Sequence, residues 1–304
     1  MRAKMLAHLI SLVSHLTKKQ RCLIIVAAAF LVLVGTFFLR APVLVVTDTS
    51  FSRMYGLKRQ RDQALQTSFQ LFRRLIAVPV SEQAGADTIV IAVEHAARAP
   101  FAVLFPYRYV DAASLYKDNY PQAQVLLMMG RNQPPPLRAG ITVIRTDVPL
   151  DLYRAGLAAA FLAAQNESES GRLLFFDDEN TPEQHRQVFQ DALSRRGFTR
   201  EVIFRNPQEQ GSYYDIVCAV LTSAGHSFME RETATPIVLF SWINPDITPS
   251  AVKVIFDDSP LAVAGGALRA SSRLEEAFVP SRPKVMGSRL SRGAFSLWRL
   301  VRTK

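Results

Sequence analysis

The chain reads as an α/β protein in which two lobes, each a parallel sheet clothed by helices, follow a single N-terminal membrane helix. Three observations predict this. An uncharged apolar run fills residues 22–39, and β-branched runs alternate with helical patterns from residue 41 to 256. The alternation then restarts after a proline-rich connector, Gln133-Pro134-Pro135-Pro136, as if one unit were built twice with a crevice between the copies.

The apolar run follows a leader carrying Arg2, Lys4, Lys18, Lys19 and Arg21 without an acid, and only Arg40 stands just beyond it. At about 1.5 Å per residue it reaches roughly 27 Å, close to the hydrocarbon thickness of a bilayer. The positive-inside bias makes residues 1–21 a cytoplasmic leader and 22–39 a signal-anchor helix, with everything beyond exported. A cleaved signal peptide competes with this reading. It wants an apolar core of roughly 7–15 residues and a small-x-small exit, whereas this chain exits through Phe37-Phe38-Leu39-Arg40-Ala41-Pro42. Cys22 begins the run rather than following it, which argues against lipidation there.

Residues 41–47 predict the first strand. Residues 56–76 predict a helix, with Leu57, Ala64, Leu65, Phe69, Phe72 and Leu75 at helical spacing. Segments 88–93 and 102–105 predict strands, 110–119 a helix ending before Pro121, and 124–129 a strand. Past the connector, 141–145 predicts a strand passing toward the second lobe. There 149–165 and 182–196 read as helices, and 172–176, 200–204, 236–241 and 252–256 as strands, while 214–222 fits either. Gly265 and Gly266 lie inside a helical pattern. The folded part, 40–280, thus divides into lobe one at about 41–145 and lobe two at about 146–260, leaving a stretch for a return segment before a basic tail at 281–304.

Of the 36 Lys and Arg residues, 6 lie in 1–40 and 7 in 281–304, where there are no acids; residues 41–280 hold the other 23 against 26 acids. The net charge of +10 therefore belongs to the ends. A nucleic-acid binder wants its basic face on the folded domain, so that class is set aside. In the tail, Arg289, Arg292, Arg299 and Arg302 interleave with Leu290, Phe295, Trp298 and Leu300. This fits an amphipathic segment at anionic lipid and, equally, a solvated tail. Cys22 at the membrane edge and Cys218 in an apolar stretch of the exported part form no disulfide, and Cys218 is expected as a buried filler.

Several phrases carry a family resemblance. Asp48-Thr49-Ser50-Phe51-Ser52 after the first strand is similar to an Asp-x-Ser-Phe-Asn turn. Tyr109-Val110-Asp111-Ala112, followed by Asn119-Tyr120-Pro121-Gln122-Ala123-Gln124-Val125, resembles a helix and a Tyr-Pro-Asp-x-x-Phe strand entry. Asp151-Leu152-Tyr153-Arg154-Ala155-Gly156-Leu157-Ala158-Ala159-Ala160 resembles a Tyr-Leu-Ala-Gly-x-x-Ala-Ala helix. These are phrases of the basic membrane protein (nucleoside-binding lipoprotein) family of type I periplasmic binding proteins, and the likeness covers most of 42–260. Close helix packing through Gly156 would explain the third phrase without any shared ligand.

The resemblance implies a two-lobed type I periplasmic-binding-protein-like fold and a solute site between the lobes. It also implies an ABC-type permease or a sensor as partner, with the main domain outside a bacterial inner membrane. Two departures bear on the ligand. Where the family places acidic ligand residues, this chain has Met129-Gly130-Arg131-Asn132 and Ser241-Trp242-Ile243-Asn244.

Ligands of such sheets sit beyond the carboxyl ends of the strands. The candidates there are Asp48, Ser50, Phe51, Ser52 and Tyr107 from lobe one, with Asp177, Trp242 and Asn244 from lobe two. The aromatics suit a planar or sugar ring, and the hydroxyls and Asp48 its polar edge, although each aromatic also has a plain packing role open to it. No phosphate-cradling glycine motif, metal-ligand spacing or Gly-x-Ser-x-Gly elbow appears, so no cofactor, metal or catalytic residue is assigned and no enzyme is expected. The reading is a membrane-anchored, extracytoplasmic solute-binding protein for a small polar or aromatic ligand, nucleoside- or sugar-like. Its rival is a degenerate binding fold kept as a ligand-free scaffold at the membrane.

Overall fold

The structure, a computed structural model, describes residues 17–51, 57–129, 139–165, 171–176, 182–205, 216–221, 228, 235–240, 250–271, 275–286 and 292–302. Its first helix, α1 (Lys18–Leu39), opens on a capping box in which Thr17 and Gln20 satisfy each other's backbone N–H groups. Within it Cys22–Leu39 is long and apolar enough to cross a membrane, and none of that stretch is buried in the protein.

Four residues later the chain enters β1 (Val43–Thr47), buried along its whole length. Leu44 and Val46 face one hydrophobic cluster and Val43 and Val45 another, so β1 lies inside a sheet covered on both faces. There follow α2 (Leu57–Leu71), β2 (Leu75–Pro79), α3 (Ala86–Ala96), β3 (Ala102–Pro106), a 3-10 turn (Tyr107–Tyr109), α4 (Val110–Asn119), β4 (Val125–Met128) and β5 (Ile141–Thr146).

The second sheet is built by α5 (Val148–Ala164), β6 (Arg172–Phe176), α6 (Glu183–Arg195), β7 (Val202–Arg205), β8 (Ile216–Leu221), β9 (Ile237–Phe240) and β10 (Val252–Asp257). Then come α7 (Pro260–Ala270), β11 (Glu276–Val279), β12 (Arg282–Val285) and α8 (Arg292–Leu300).

The sheets have matching orders, β11-β5-β4-β3-β1-β2 and β12-β10-β9-β8-β6-β7, and every pairing is parallel except the antiparallel β10–β12. Among the described residues the chain passes between them at three places. After β5 it enters α5, whose Leu152, Ala155 and Ala159 join the core of the second sheet. After β10 it enters α7, whose Leu261, Ala264 and Ala267 join Val43, Val45 and Leu104 under the first. Residues 280–281 carry it from β11 back to β12.

These passages hold buried polar contacts. Both oxygens of Asp151 accept the Ser281 N–H, at 3.1 and 3.0 Å. Asp257 accepts from the Gln63 side-chain amide and, at 3.0 Å, from the Ser259 N–H, and the Ser259 hydroxyl donates to Gln63 at 3.0 Å.

Three sequence expectations need correction. Segment 88–93 lies in α3, not in a strand. Its β-branched content misleads, but Ile89, Val90 and Val93 are buried while Ile91 is half exposed, which is the phase of a helix. The expected helix 56–76 stops at Leu71, because Phe72 turns left-handed at φ 51° and Leu75–Pro79 becomes strand β2 beside β1. The expected apolar face of that helix is also partly misplaced: Leu65 and Phe69 point outward, and Gln60, Gln63, Thr67 and Ser68 are buried instead.

The C-terminal basic stretch is not simply solvated. Arg282–Val285 completes the second sheet, and Leu297 of α8 and Val301 just after it are buried in its core.

Candidate functional site

Strand β1 ends at Thr47, and the next residue, Asp48, is 3 % exposed. Its position beyond a fully buried strand brings it beside the turn that follows β3, which supplies two of its four partners, the other two coming from the residues just after it. Oδ1 accepts from the Ser50 hydroxyl and, at 3.1 Å, from the Phe51 N–H. Oδ2 accepts from Arg108 Nη1 at 3.0 Å and from the Tyr109 hydroxyl at 2.5 Å.

Burial alone would raise the Asp48 carboxyl. The Ser50, Tyr109 and Phe51 hydrogen bonds and the Arg108 charge outweigh it and hold the group below its ordinary 3.8. For Tyr109, burial first and the Asp48 carboxylate second push the phenol well up, so it stays a donor.

Arg108 is the open member of this cluster, its side chain 43 % exposed. It also donates to Ser50 Oγ at 3.1 Å and to the Glu82 carbonyl at 3.4 Å, which leaves guanidinium N–H groups to spare. Thr49 donates to the Glu82 carboxylate from the loop after β2. The strand ends of lobe one therefore present a guanidinium and a hydroxyl, oriented from below by a buried carboxylate.

Of the expected site residues, the structure brings Asp48, Ser50 and Phe51 together in this turn. Tyr107 begins the adjoining 3-10 turn, half-buried against the cluster of Phe105 and Tyr116. Ser52, Asp177, Trp242 and Asn244 lie outside the described residues. Sequence reasoning missed Arg108, Tyr109 and Glu82. The signal for Arg108 was present: a cation two residues past a fully buried strand, at the edge where ligands of such sheets collect.

Among the described residues no group of three or more His, Cys, Asp or Glu side chains is placed to hold a metal ion. Two cavities lined by described residues, about 370 and 410 Å³, lie along Phe161 and the C-terminal helix of lobe two, away from these strand ends.

No family model matches the chain, and no curated protein matches it. Solved structures do. An ABC transporter system solute-binding protein from Conexibacter woesei DSM 14684 superposes with a TM-score of 0.52 over 86% of this chain and 95% of that one, at 10% identity. A transcriptional activator of the comK gene from Bacillus halodurans gives 0.49 over 87% and 98%, at 10% identity. A periplasmic ribose ABC transporter structure from Conexibacter woesei DSM 14684 gives 0.46 over 87% and 95%, also at 10% identity.

The first of these, with the paired sheet orders, shows the fold expected from the sequence: two-lobed, type I periplasmic-binding-protein-like, with parallel sheets behind an N-terminal apolar helix. At such identity the likeness speaks for fold alone, since one fold hosts many functions.

Proposed function

We propose that the protein is a membrane-anchored, extracytoplasmic solute-binding protein, without catalysis of its own, that captures a small polar ligand between its lobes for an ABC-type importer or a sensor. The observation that carries this reading is the doubled sheet joined at three passages, an arrangement that lets two halves hinge about a ligand. The anchor is Cys22–Leu39, with residues 1–21 inside and the lobes outside a bacterial inner membrane.

On the ligand side, lobe one contributes Ser50, Phe51, Tyr107 and Arg108, and Asp48 acts by orienting Ser50 and Arg108 rather than by touching the solute. Ser52, next in sequence, and Asp177, Trp242 and Asn244 from lobe two complete the proposed set. An exposed guanidinium beside hydroxyls favours a sugar or nucleoside, particularly one bearing a carboxylate or phosphate.

The ligand-free scaffold remains the second reading, favoured by one specific observation: both Asp48 oxygens are already saturated by protein donors. A thermal-shift screen of sugars, sugar acids, nucleosides, nucleotides and amino acids separates the two. A ligand bound only to the folded state adds about 2.7 kcal/mol at a hundred times its dissociation constant. A rise in Tm that disappears in Arg108→Ala supports the solute binder. A flat panel, with no small molecule co-purifying by mass spectrometry, supports the scaffold.

A further inference from the structure

Helix α2 sets Ala64 and Leu71 against the core of the first sheet, yet the described side chains it buries most fully are polar, with Thr67 at 0%, Ser68 at 6% and Gln63 at 7% exposure, while Leu65 and Phe69, one turn apart on the outer face, are 58% and 67% exposed. The polar residues are accounted for: Gln63 meets Asp257 and Ser259, Thr67 donates to the Leu261 carbonyl at 2.9 Å, and Ser68 accepts the Leu75 N–H at 2.8 Å. Leu65 and Phe69 nevertheless stay mostly open to the surroundings among the described residues.

Their neighbours account for this exposure. Phe37, in the last turn of the apolar run, stacks on Phe69 with ring centroids 6.2 Å apart and meets Phe72 edge-on at 5.8 Å. Phe37 stands two residues before the end of Cys22–Leu39, so its Cα lies about 3 Å along the axis from that end. A ring stacked on it shares its depth. Cations complete the set: the Arg40 guanidinium lies 5.1 Å from the Phe72 ring, and that of Arg73 lies 3.9 Å over Phe101, which is itself 42% exposed. Arg73 also donates to the Ala41 carbonyl at 3.1 Å, tying the patch to the exit of α1.

We infer that the base of lobe one is itself a membrane contact, with Leu65, Phe69 and Phe101 seated in the outer bilayer interface around the exit of α1 and Arg40 and Arg73 at the level of anionic headgroups. The composition fits that region, where aromatic rings sit at the boundary and arginines reach the phosphates. Only residues 40–42 separate α1 from β1, and Phe37 and Arg40 are packed on Phe72, so the lobe rests on the bilayer in one orientation instead of swinging on a tether. The inference rests on the reading of α1 as a membrane span.

The test uses the full chain in vesicles of phosphatidylethanolamine and phosphatidylglycerol, with Cys22→Ala as background. Cys218 needs no replacement, because burial pushes its thiol up to about 12 and keeps it unreactive in the folded protein. Single cysteines are introduced by Phe69→Cys, Leu65→Cys and Phe101→Cys, with Gln187→Cys on an exposed face of lobe two as reference. Each is labelled with a membrane-impermeant maleimide, then with a fluorophore read against brominated lipids.

Labelling several-fold slower than at position 187, with fluorophore emission quenched by bromolipid, is the expected result at two or more of the three positions. Retention of the chain after carbonate washing, but fast labelling without quenching, overturns the collar and leaves the span standing. Slow labelling without quenching means a protein occupant such as a second copy, and also overturns it. Extraction by carbonate removes the span and the collar together.

Discussion

The Tyr109 hydroxyl donates to Oδ2 of Asp48 at 2.5 Å, from the turn after β3 to the end of β1, and so joins neighbouring strands of the first sheet at their carboxyl ends. The contact makes Asp48 a structural carboxylate whose charge is stabilised by four donors. Replacing it by Asn should cost roughly 2–4 kcal/mol in denaturant unfolding, as expected for a buried ionised acceptor with charged and neutral donors. Arg108→Ala should cost under about 1 kcal/mol, because its guanidinium is screened by water. Since the folded carboxyl is held below 3.8, this stabilisation is present above that pH and is lost as pH falls through the lowered value. The wild type and Asp48→Asn curves should therefore converge in strong acid.

Asp151 should behave in the opposite sense. Burial pushes its carboxyl up to about 7, against the Ser281 donors and the Arg154 charge. The folded state then holds a proton that the unfolded state releases near 3.8, so stability falls as pH rises from about 4 to about 7 and is flat beyond. The loss has an upper bound of roughly 4 kcal/mol. Thermal melts of Asp151→Asn should lack this slope, and an identical slope in both proteins would refute the assignment.

Gly156 is held by contact rather than by backbone conformation. A Cβ there would come within 2.7 Å of both the Ala192 Cβ and the Phe189 carbonyl on α6. Gly156→Ala should destabilise by about 1–3 kcal/mol despite its better helix propensity, and chemical denaturation measures it directly.

Phe72 occupies the left-handed residue that ends α2, where the Arg73 N–H reaches the Ser68 carbonyl at 3.1 Å and glycine is the usual occupant. Phe72→Ala keeps the steric cost of a Cβ and loses the ring contacts, whereas Phe72→Gly loses the ring and relieves the cost. The glycine variant should be the more stable of the two by about 1 kcal/mol in paired melts.

The sheet-and-helix order was legible because its strands are buried on both faces and so read as unbroken apolar runs, as at Val43–Thr47 and Ile216–Leu221. Leu75–Pro79 hid because it is an edge strand with only Leu75 and Val78 buried, starting four residues after a helix whose apolar spacing it appeared to continue. In α2 the spacing of Leu65 and Phe69 was real, but it marked the outward side. Periodicity gives the direction of an apolar face, not what that face meets.

The site was legible as a place more than as a set of roles. Asp48 and Ser50 fall where the first strand predicted them, yet Asp48 takes its partners from Arg108 and Tyr109, sixty residues or so along the chain. No local pattern encodes such a pairing.

Strand β11, drawn from residues 276–279, closes the edge of the first sheet beside β5. Until residues 276–279 have been synthesised, the first sheet ends at β5, with the outward amides and carbonyls of that strand unpaired. A nascent chain stalled before residue 276 would offer those groups to a neighbour, so truncation late in the sequence should appear as aggregation rather than as a shortened but soluble product.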